Sequence, residues 1–149
     1  MVIKNNPRPG VRWRRGNNLV FKFSIGLHED DTDVLRFIQK QLGIGSVTTR
    51  GKVSYFNVIK QEELLKIIEI FRDSHLNTTK HLNFLSFSEA YYLYTERRHK
   101  TIELKAKIDN IRSSMNNERL DFSMPEPSKH IRITPYWLLG FVEGEVHLM

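Results

Sequence analysis

Two hydrophobic periods take turns along the first half of this chain, and their order limits the folds open to it. Val20-Phe21-Lys22-Phe23-Ser24-Ile25 sets Phe21, Phe23 and Ile25 on one side and Lys22 and Ser24 on the other, the period of two of a strand with one wet face. Val34, Leu35, Ile38 and Leu42 then follow helical spacing, behind Asp31-Thr32-Asp33 as an N-terminal cap and ahead of Gly43 and Gly45 as a stop. The strand period returns from Ser46 to Arg50 and from Val53 to Lys60, joined by a turn at Gly51-Lys52, with Phe56 and Val58 facing the core. Gln61-Glu62-Glu63 puts acidic charge in the first turn of the next helix, where the macrodipole favours it, and Leu64, Ile67, Ile68 and Phe71 form its buried stripe. After a polar loop from Ser74 to Thr79, a longer helix is expected from His81 to Arg98, with Leu82, Leu85, Ala90 and Leu93 among its apolar positions; Leu104, Ile108, Ile111 and Met115 mark another. Ahead of all these, Asn5 to Gly16 holds Pro7, Pro9, Gly10 and Gly16 among basic side chains and reads as a long loop between two strands. The order is strand, strand, helix, strand, strand, helix, helix, which is an α+β pattern.

The chain has 149 residues, 40% of them hydrophobic, enough for one compact core. No apolar run approaches the roughly 18 residues of a membrane span, and Met1 to Pro7 lacks the apolar stretch of a secretion signal, so a soluble, non-secreted chain with no membrane partner is expected. Cysteine is absent, which excludes disulfides and thiolate zinc sites.

A net charge of +6 favours a polyanionic partner, and its distribution says more than its sum. Before Glu29 the chain carries Lys4, Arg8, Arg12, Arg14, Arg15 and Lys22 with no acidic residue, and Trp13 stands among the guanidinium groups of Arg12, Arg14 and Arg15. Such a mixture suits phosphate and base contact, and it is also what a solvated basic hairpin tip looks like. Strand parity adds a second set: if Phe21, Phe23, Phe56 and Val58 face the helices, then Lys22, Ser24, Thr48, Arg50, Tyr55 and Asn57 face away from the core. Arginine and asparagine can there read guanine and adenine edges, or the set can be plain solvent-facing surface.

Beyond Met115, the proline-punctuated stretch Met124-Pro125-Glu126-Pro127-Ser128 reads as linker, and Thr134-Pro135 is a good N-cap and N1 pair for a last helix, Tyr136 to Glu145. Gly140 and Gly144 lie four residues apart on one face, open to close approach by a second helix, and Glu143 and Glu145 end the helix. Two carboxylates beside a tight helix pair could hold a divalent metal; an ordinary buried helix with glutamates at its wet end fits as well.

Leu138-Leu139-Gly140-Phe141-Val142-Glu143-Gly144-Glu145 resembles the LAGLIDADG motif of homing endonucleases and intron maturases, and Ile133 to Trp137 resembles the entry to their second motif. Phe21 to His28, Leu42 to Val47, Phe56 to Val58 and Lys80 to Phe84 are similar to successive elements of the family's first repeat, so the resemblance covers nearly the whole chain. It implies an antiparallel four-stranded sheet with helices on one face, laid in the DNA major groove, and motif helices paired about a pseudo-two-fold axis through Gly140 and Gly144. It implies further that Glu145 is the metal-binding catalytic acid, with Glu143 less critical, and that Mg2+ drives phosphodiester hydrolysis by polarising the phosphate and activating a water. Lys80 resembles a basic residue near the family's reaction centre, although a lone lysine is also a common surface charge.

On this resemblance residues 1–115 correspond to a first repeat lacking its motif helix, 116–133 to a linker, and 134–149 to a truncated second motif helix. With no N-terminal motif and only Val146-His147-Leu148-Met149 after Glu145, a second acid is expected from a homodimer mate, a complementary repeat or a larger assembly. Two other functions stay open: a maturase-like binder of intron RNA, and a non-catalytic structural subunit of a larger organellar assembly. Mitochondrial location is implied by the resemblance alone. Gly43-Ile44-Gly45 lacks the rest of a dinucleotide fingerprint, the six histidines show no paired metal spacing, and no serine, histidine and carboxylate triad is asserted by the sequence.

Overall fold

The computed structural model describes residues 1–5, 19–96, 101–116, 119–124 and 133–145, with the backbone alone for 141–145. Strands β1 (Val2–Asn5), β2 (Leu19–His28), β3 (Ser46–Arg50) and β4 (Val53–Val58) form one antiparallel sheet in the order β1-β2-β4-β3. Helices α1 (Thr32–Leu42), α2 (Gln61–Asp73), α3 (Lys80–Glu96), α4 (Ile102–Ser113) and α5 (Pro135–Glu145) complete the described elements. The element order matches the periodicities in the sequence. The fold is α+β, with α1, α2 and α3 packed against a single face of the sheet.

Local chemistry explains the joints. Gly51 takes φ +59° and so serves as the first residue of the two-residue turn that pairs Arg50 with Val53. Gly43 ends α1 in the left-handed conformation, its N–H bonded to the Gln39 carbonyl at 2.9 Å. At the start of α1 the expected Asp31 cap makes no side-chain bond. Thr32 Oγ1 instead donates to the Glu29 carbonyl and meets Ser54 Oγ, which Thr49 Oγ1 also contacts at 2.8 Å. Ser54 is fully buried, and this hydroxyl cluster satisfies it. β4 stops at Val58 rather than Lys60, because Ile59 turns out to solvent and Lys60 becomes the residue preceding α2.

The core lies between sheet and helices. Phe21, Phe23, Phe56 and Val58 point inward and meet Leu35 of α1, Leu64, Ile67 and Ile68 of α2, and Phe84, Phe87, Ala90 and Tyr91 of α3. Phe21 packs edge-on against Phe87 at 5.6 Å and Tyr91 at 5.8 Å, and Phe23 leans on Phe71 at 5.7 Å, contacts that fix α3 and α2 over β2. Leu104 and Ile108 of α4, with Met115, close the far side of α3.

Two helical expectations need correcting. Leu85 is 41% exposed, while Phe84, Phe87, Tyr91 and Tyr94 are buried. The cause is that α3 is covered on two sides, by the sheet and by α4, so its buried positions do not form one stripe. Val34 is 51% exposed, because α1 buries only the sector around Leu35. The 97–98 end of the expected α3 and the 6–18 connection after β1 lie outside the described residues.

Candidate nucleic-acid interface

The sheet's second face, opposite the helices, gathers polar and basic side chains by parity alone. Cross-strand register puts Val2 beside Lys22 and Lys4 beside Val20 at the β1 edge. Further along, Ser24, Asn57 and Ser46 form one row across three strands, Gly26, Tyr55 and Thr48 the next, and His28, Val53 and Arg50 the last. Lys22, Ser24, Thr48, Arg50, Tyr55 and Asn57 therefore share one surface. Among the described residues no carboxylate side chain belongs to these rows, and none pairs with Lys4, Lys22 or Arg50. A face with unneutralised cations, hydroxyls and an aromatic ring has the chemistry of phosphate and base contact.

Asn57 departs from a solvent-facing reader. It is only 9% exposed, because its neighbours in the row engage its amide. Ser24 Oγ donates to Asn57 Oδ1 at 2.8 Å, and Asn57 Nδ2 donates to Thr48 Oγ1 at 3.2 Å. The Tyr55 ring lies over Gly26, where an added Cβ would sit 3.2 Å from Tyr55 Cε1, so this glycine leaves room for the ring to lie flat across β2. The outward set read from the sequence left out His28 and Ser46, and it counted Lys4 in the basic N-terminal stretch without placing it on this face. Period-two parity would have found them once β2 was continued to His28 and β1 was set in register.

Beyond His28 the surface changes sign. Glu29, Asp30, Asp31 and Asp33 crowd the turn into α1, and His28 Nδ1 lies 3.1 Å from Asp30 Oδ2. The cationic part of the face is thereby bounded on one side.

Lys80 stands apart from these rows, exposed at the start of α3. It is near the start of β1: burial, and then the Lys80 charge, push the Met1 amine below its ordinary pKa. Arg12, Arg14 and Arg15 lie outside the described residues.

Thr134 caps α5 as its sequence predicts, accepting from Trp137 N at 3.1 Å, with Pro135 at the first helical position. Tyr136, Leu138 and Leu139 are exposed, and among the described residues nothing lies within 4 Å of a Cβ built on Gly140. An apolar helix with such a surface has a face left for a partner. Glu145 ends this helix, and Gly144 precedes it; their side-chain surroundings lie outside the described residues. Among the described residues no three potential ligands cluster to hold a metal, and no helix is long and apolar enough to cross a membrane.

Comparison with known proteins agrees with this architecture. The family model described as LAGLIDADG endonuclease matches residues 2–91, well over half of the chain. "Probable intron-encoded endonuclease 3" of Neurospora crassa is 29% identical over 161 residues, covering 97% of this chain and 29% of that protein. "Probable intron-encoded DNA endonuclease aI1" of Mycosarcoma maydis is 30% identical over 90 residues, covering 58% of this chain and 74% of that protein. The crystal structure of the LAGLIDADG homing endonuclease I-GzeII in complex with its DNA target superposes with a TM-score of 0.76 at 25% identity, over 97% of this chain and 53% of that one. The chain belongs to the LAGLIDADG endonuclease family. It spans less than a third of the Neurospora relative's length and about half of the I-GzeII chain.

Proposed function

We propose that this chain is a DNA-reading unit of an intron-encoded, metal-dependent endonuclease, with the outer sheet face in the major groove of its target. The observation that carries this reading is the convergence of Lys22, Ser24, Thr48, Arg50 and Tyr55 on one face whose cross-strand rows hold no carboxylate among the described residues. A sheet of this kind enters the wide major groove of B-form DNA, whereas the deep, narrow groove of A-form RNA excludes it. Lys22 and Arg50 contact phosphates or guanine edges, the hydroxyls meet base edges, and Arg12, Arg14 and Arg15 extend the contact along the duplex. The face of α5 around Gly140 and Gly144 packs on a second motif helix, in the same polypeptide or in another chain. Residues 116–133 are the connection that presents it. The I-GzeII chain, solved with its DNA target, supports the reading through its shared fold.

Cleavage needs a hard divalent cation, and the donor chemistry fits: Glu145 offers carboxylate oxygen, and magnesium is commonly held by one or two carboxylates together with phosphate oxygens and water. When bound, magnesium supplies Lewis-acid polarisation of the scissile phosphate and an acidified water. Glu145 would hold the metal at the end of α5, the second motif helix would contribute the matching acid, and Lys80 would be the candidate cation for charge that develops on the phosphate. The relatives are named as intron-encoded endonucleases, and we assign the chain to the mitochondrion on the family likeness.

The test separates binding from cutting. Duplex DNA selected from a randomised library is expected to bind the chain in preference to double-stranded RNA. Magnesium-dependent cutting in the presence of a second motif helix is expected to disappear in Glu145→Gln while binding persists. Preference for folded RNA over duplex DNA overturns the reading in favour of an RNA-binding role.

A further inference from the structure

The Ser24, Asn57 and Thr48 cluster carries more information than three polar residues on a surface. A serine or threonine hydroxyl can donate or accept, so by itself it discriminates poorly among base edges. Here both hydroxyls are oriented by one amide. Ser24 Oγ donates its single hydrogen to Asn57 Oδ1 at 2.8 Å, which leaves only lone pairs to face outward. Thr48 Oγ1 receives Asn57 Nδ2 at 3.2 Å, which leaves its own hydrogen available to donate. The sense of the amide is set by its surroundings: the Tyr55 carbonyl, an acceptor only, lies 3.5 Å from Nδ2 on the Thr48 side. Asn57 is nearly enclosed, whereas Thr48 is exposed and Ser24 half-buried.

We propose that Asn57 is a positioning residue that gives the central strands a fixed polarity toward DNA, with Ser24 as acceptor on β2 and Thr48 as donor on β3. The inference rests on the major-groove reading above and adds a base preference to it. The base facing Ser24 presents an exocyclic amine, as adenine or cytosine does. The base facing Thr48 presents an acceptor, the O6 or N7 of guanine, the N7 of adenine or the O4 of thymine. Asn57 itself makes no bidentate adenine contact, because both ends of its amide are engaged within the sheet.

Asn57→Asp tests the polarity directly. A carboxylate accepts from both hydroxyls, so Thr48 turns its hydrogen inward and faces the DNA as an acceptor, like Ser24. The experiment is selection of a randomised duplex library by the full chain, comparing wild type with Asn57→Asp, Ser24→Ala and Thr48→Val. Wild type is expected to select an amine-bearing base at one position and an acceptor-bearing base at a nearby one, each by roughly three- to tenfold. Thr48→Val is expected to flatten the second preference, Ser24→Ala the first, and Asn57→Asp to move the second toward cytosine, the one base that shows the major groove an amine and no acceptor. The added negative charge lowers overall affinity, so the readout is preference and not strength. If Asn57→Asp proves unfolded, the sense of the two preferences still decides the matter: an amine-bearing base lost in Ser24→Ala and an acceptor-bearing base lost in Thr48→Val support the polarity, and the reverse assignment overturns it. Unchanged preferences in all variants that bind overturn the relay and leave the DNA reading standing. A wild-type chain that selects no duplex takes both down.

Discussion

The backbone N–H of Gly45 donates to Glu63 Oε2 at 3.0 Å, tying the start of β3 to the first turn of α2. Lys60 Nζ holds the other carboxylate oxygen at 3.1 Å, and Gln39 Nε2 donates to the Gly45 carbonyl at 3.1 Å. The Lys60 bond, and then the Gly45 amide, lower the Glu63 pKa below its ordinary value. A carboxylate depressed in the folded state stabilises the fold above its unfolded pKa, about 4.3, and that contribution is lost as pH falls through the lower folded value. In urea unfolding between pH 7 and 3, wild type is expected to lose stability faster than Glu63→Gln below roughly pH 4. Glu63→Ala, which leaves the Gly45 donor unmatched, is expected to cost about 1–3 kcal/mol at pH 7. Parallel pH profiles for wild type and Glu63→Gln would show that this bond is absent in solution.

Gly45 also meets a steric limit that Gly43 escapes. A Cβ at Gly45, where φ is +77°, would lie 2.6 Å from Phe56 Cε2 and 2.9 Å from the Asn57 carbonyl; at Gly43, with φ +66°, it would meet nothing within 4 Å. Gly43→Ala is expected to cost about 1–2 kcal/mol for the left-handed backbone alone. Gly45→Ala adds a displacement of Phe56 and is expected to cost on the order of 3 kcal/mol or more. Chemical denaturation of the two variants side by side checks the ranking, and equal costs refute the packing argument.

Much of the fold was legible because the signals are local. Phe21, Phe23, Phe56 and Val58 alternate with polar neighbours, so parity alone assembled the outward set from Lys22 to Asn57 before any register was known. What parity could not show was the row that encloses Asn57, since Ser24 and Thr48 reach its amide only through the pairing of β2 and β3 with β4. Position in the fold also decided α3, where Leu85 is exposed and Phe87 buried because two layers cover the helix. Lys80 was singled out through family likeness, because one lysine carries no distinguishing spacing of its own; Glu143 and Glu145, ending the helix that carries Gly140 and Gly144, suggested a metal site from the residues alone, and the likeness added the catalytic role of Glu145.

Lys22 and Arg50 project from the same sheet face with no described carboxylate beside either, so each is expected to neutralise about one phosphate. Lys22→Ala and Arg50→Ala should each reduce the slope of log affinity against log salt by roughly one. Lys40→Ala, an exposed cation on α1, supplies the control and should leave the slope unchanged. Fluorescence anisotropy on a duplex between 50 and 200 mM salt, about the range over which such losses are large, makes the comparison. A slope change for Lys40 and none for the other two would move the interface to the helical side.

Arg119 gives the segment after α4 a definite path. Its Nη2 donates to the Leu82 carbonyl at 3.1 Å and to Ser86 Oγ at 2.8 Å, and its Nε lies 3.4 Å from Asn83 Oδ1, which also accepts the Asn116 N–H at 2.9 Å. One planar guanidinium thus spans three acceptors on the first two turns of α3, a geometry that a lysine ammonium cannot reproduce. Arg119→Ala is expected to cost about 1–3 kcal/mol, since bonds to a charged donor exceed neutral ones, and Arg119→Lys to recover less than half of that. The local readout is hydrogen exchange across residues 119–124, which should quicken in both variants while the amides of β2 and β4 keep their protection. Equal exchange in wild type and Arg119→Ala would mean that the segment is held by Met115 and its neighbours in the core, with the guanidinium a bystander.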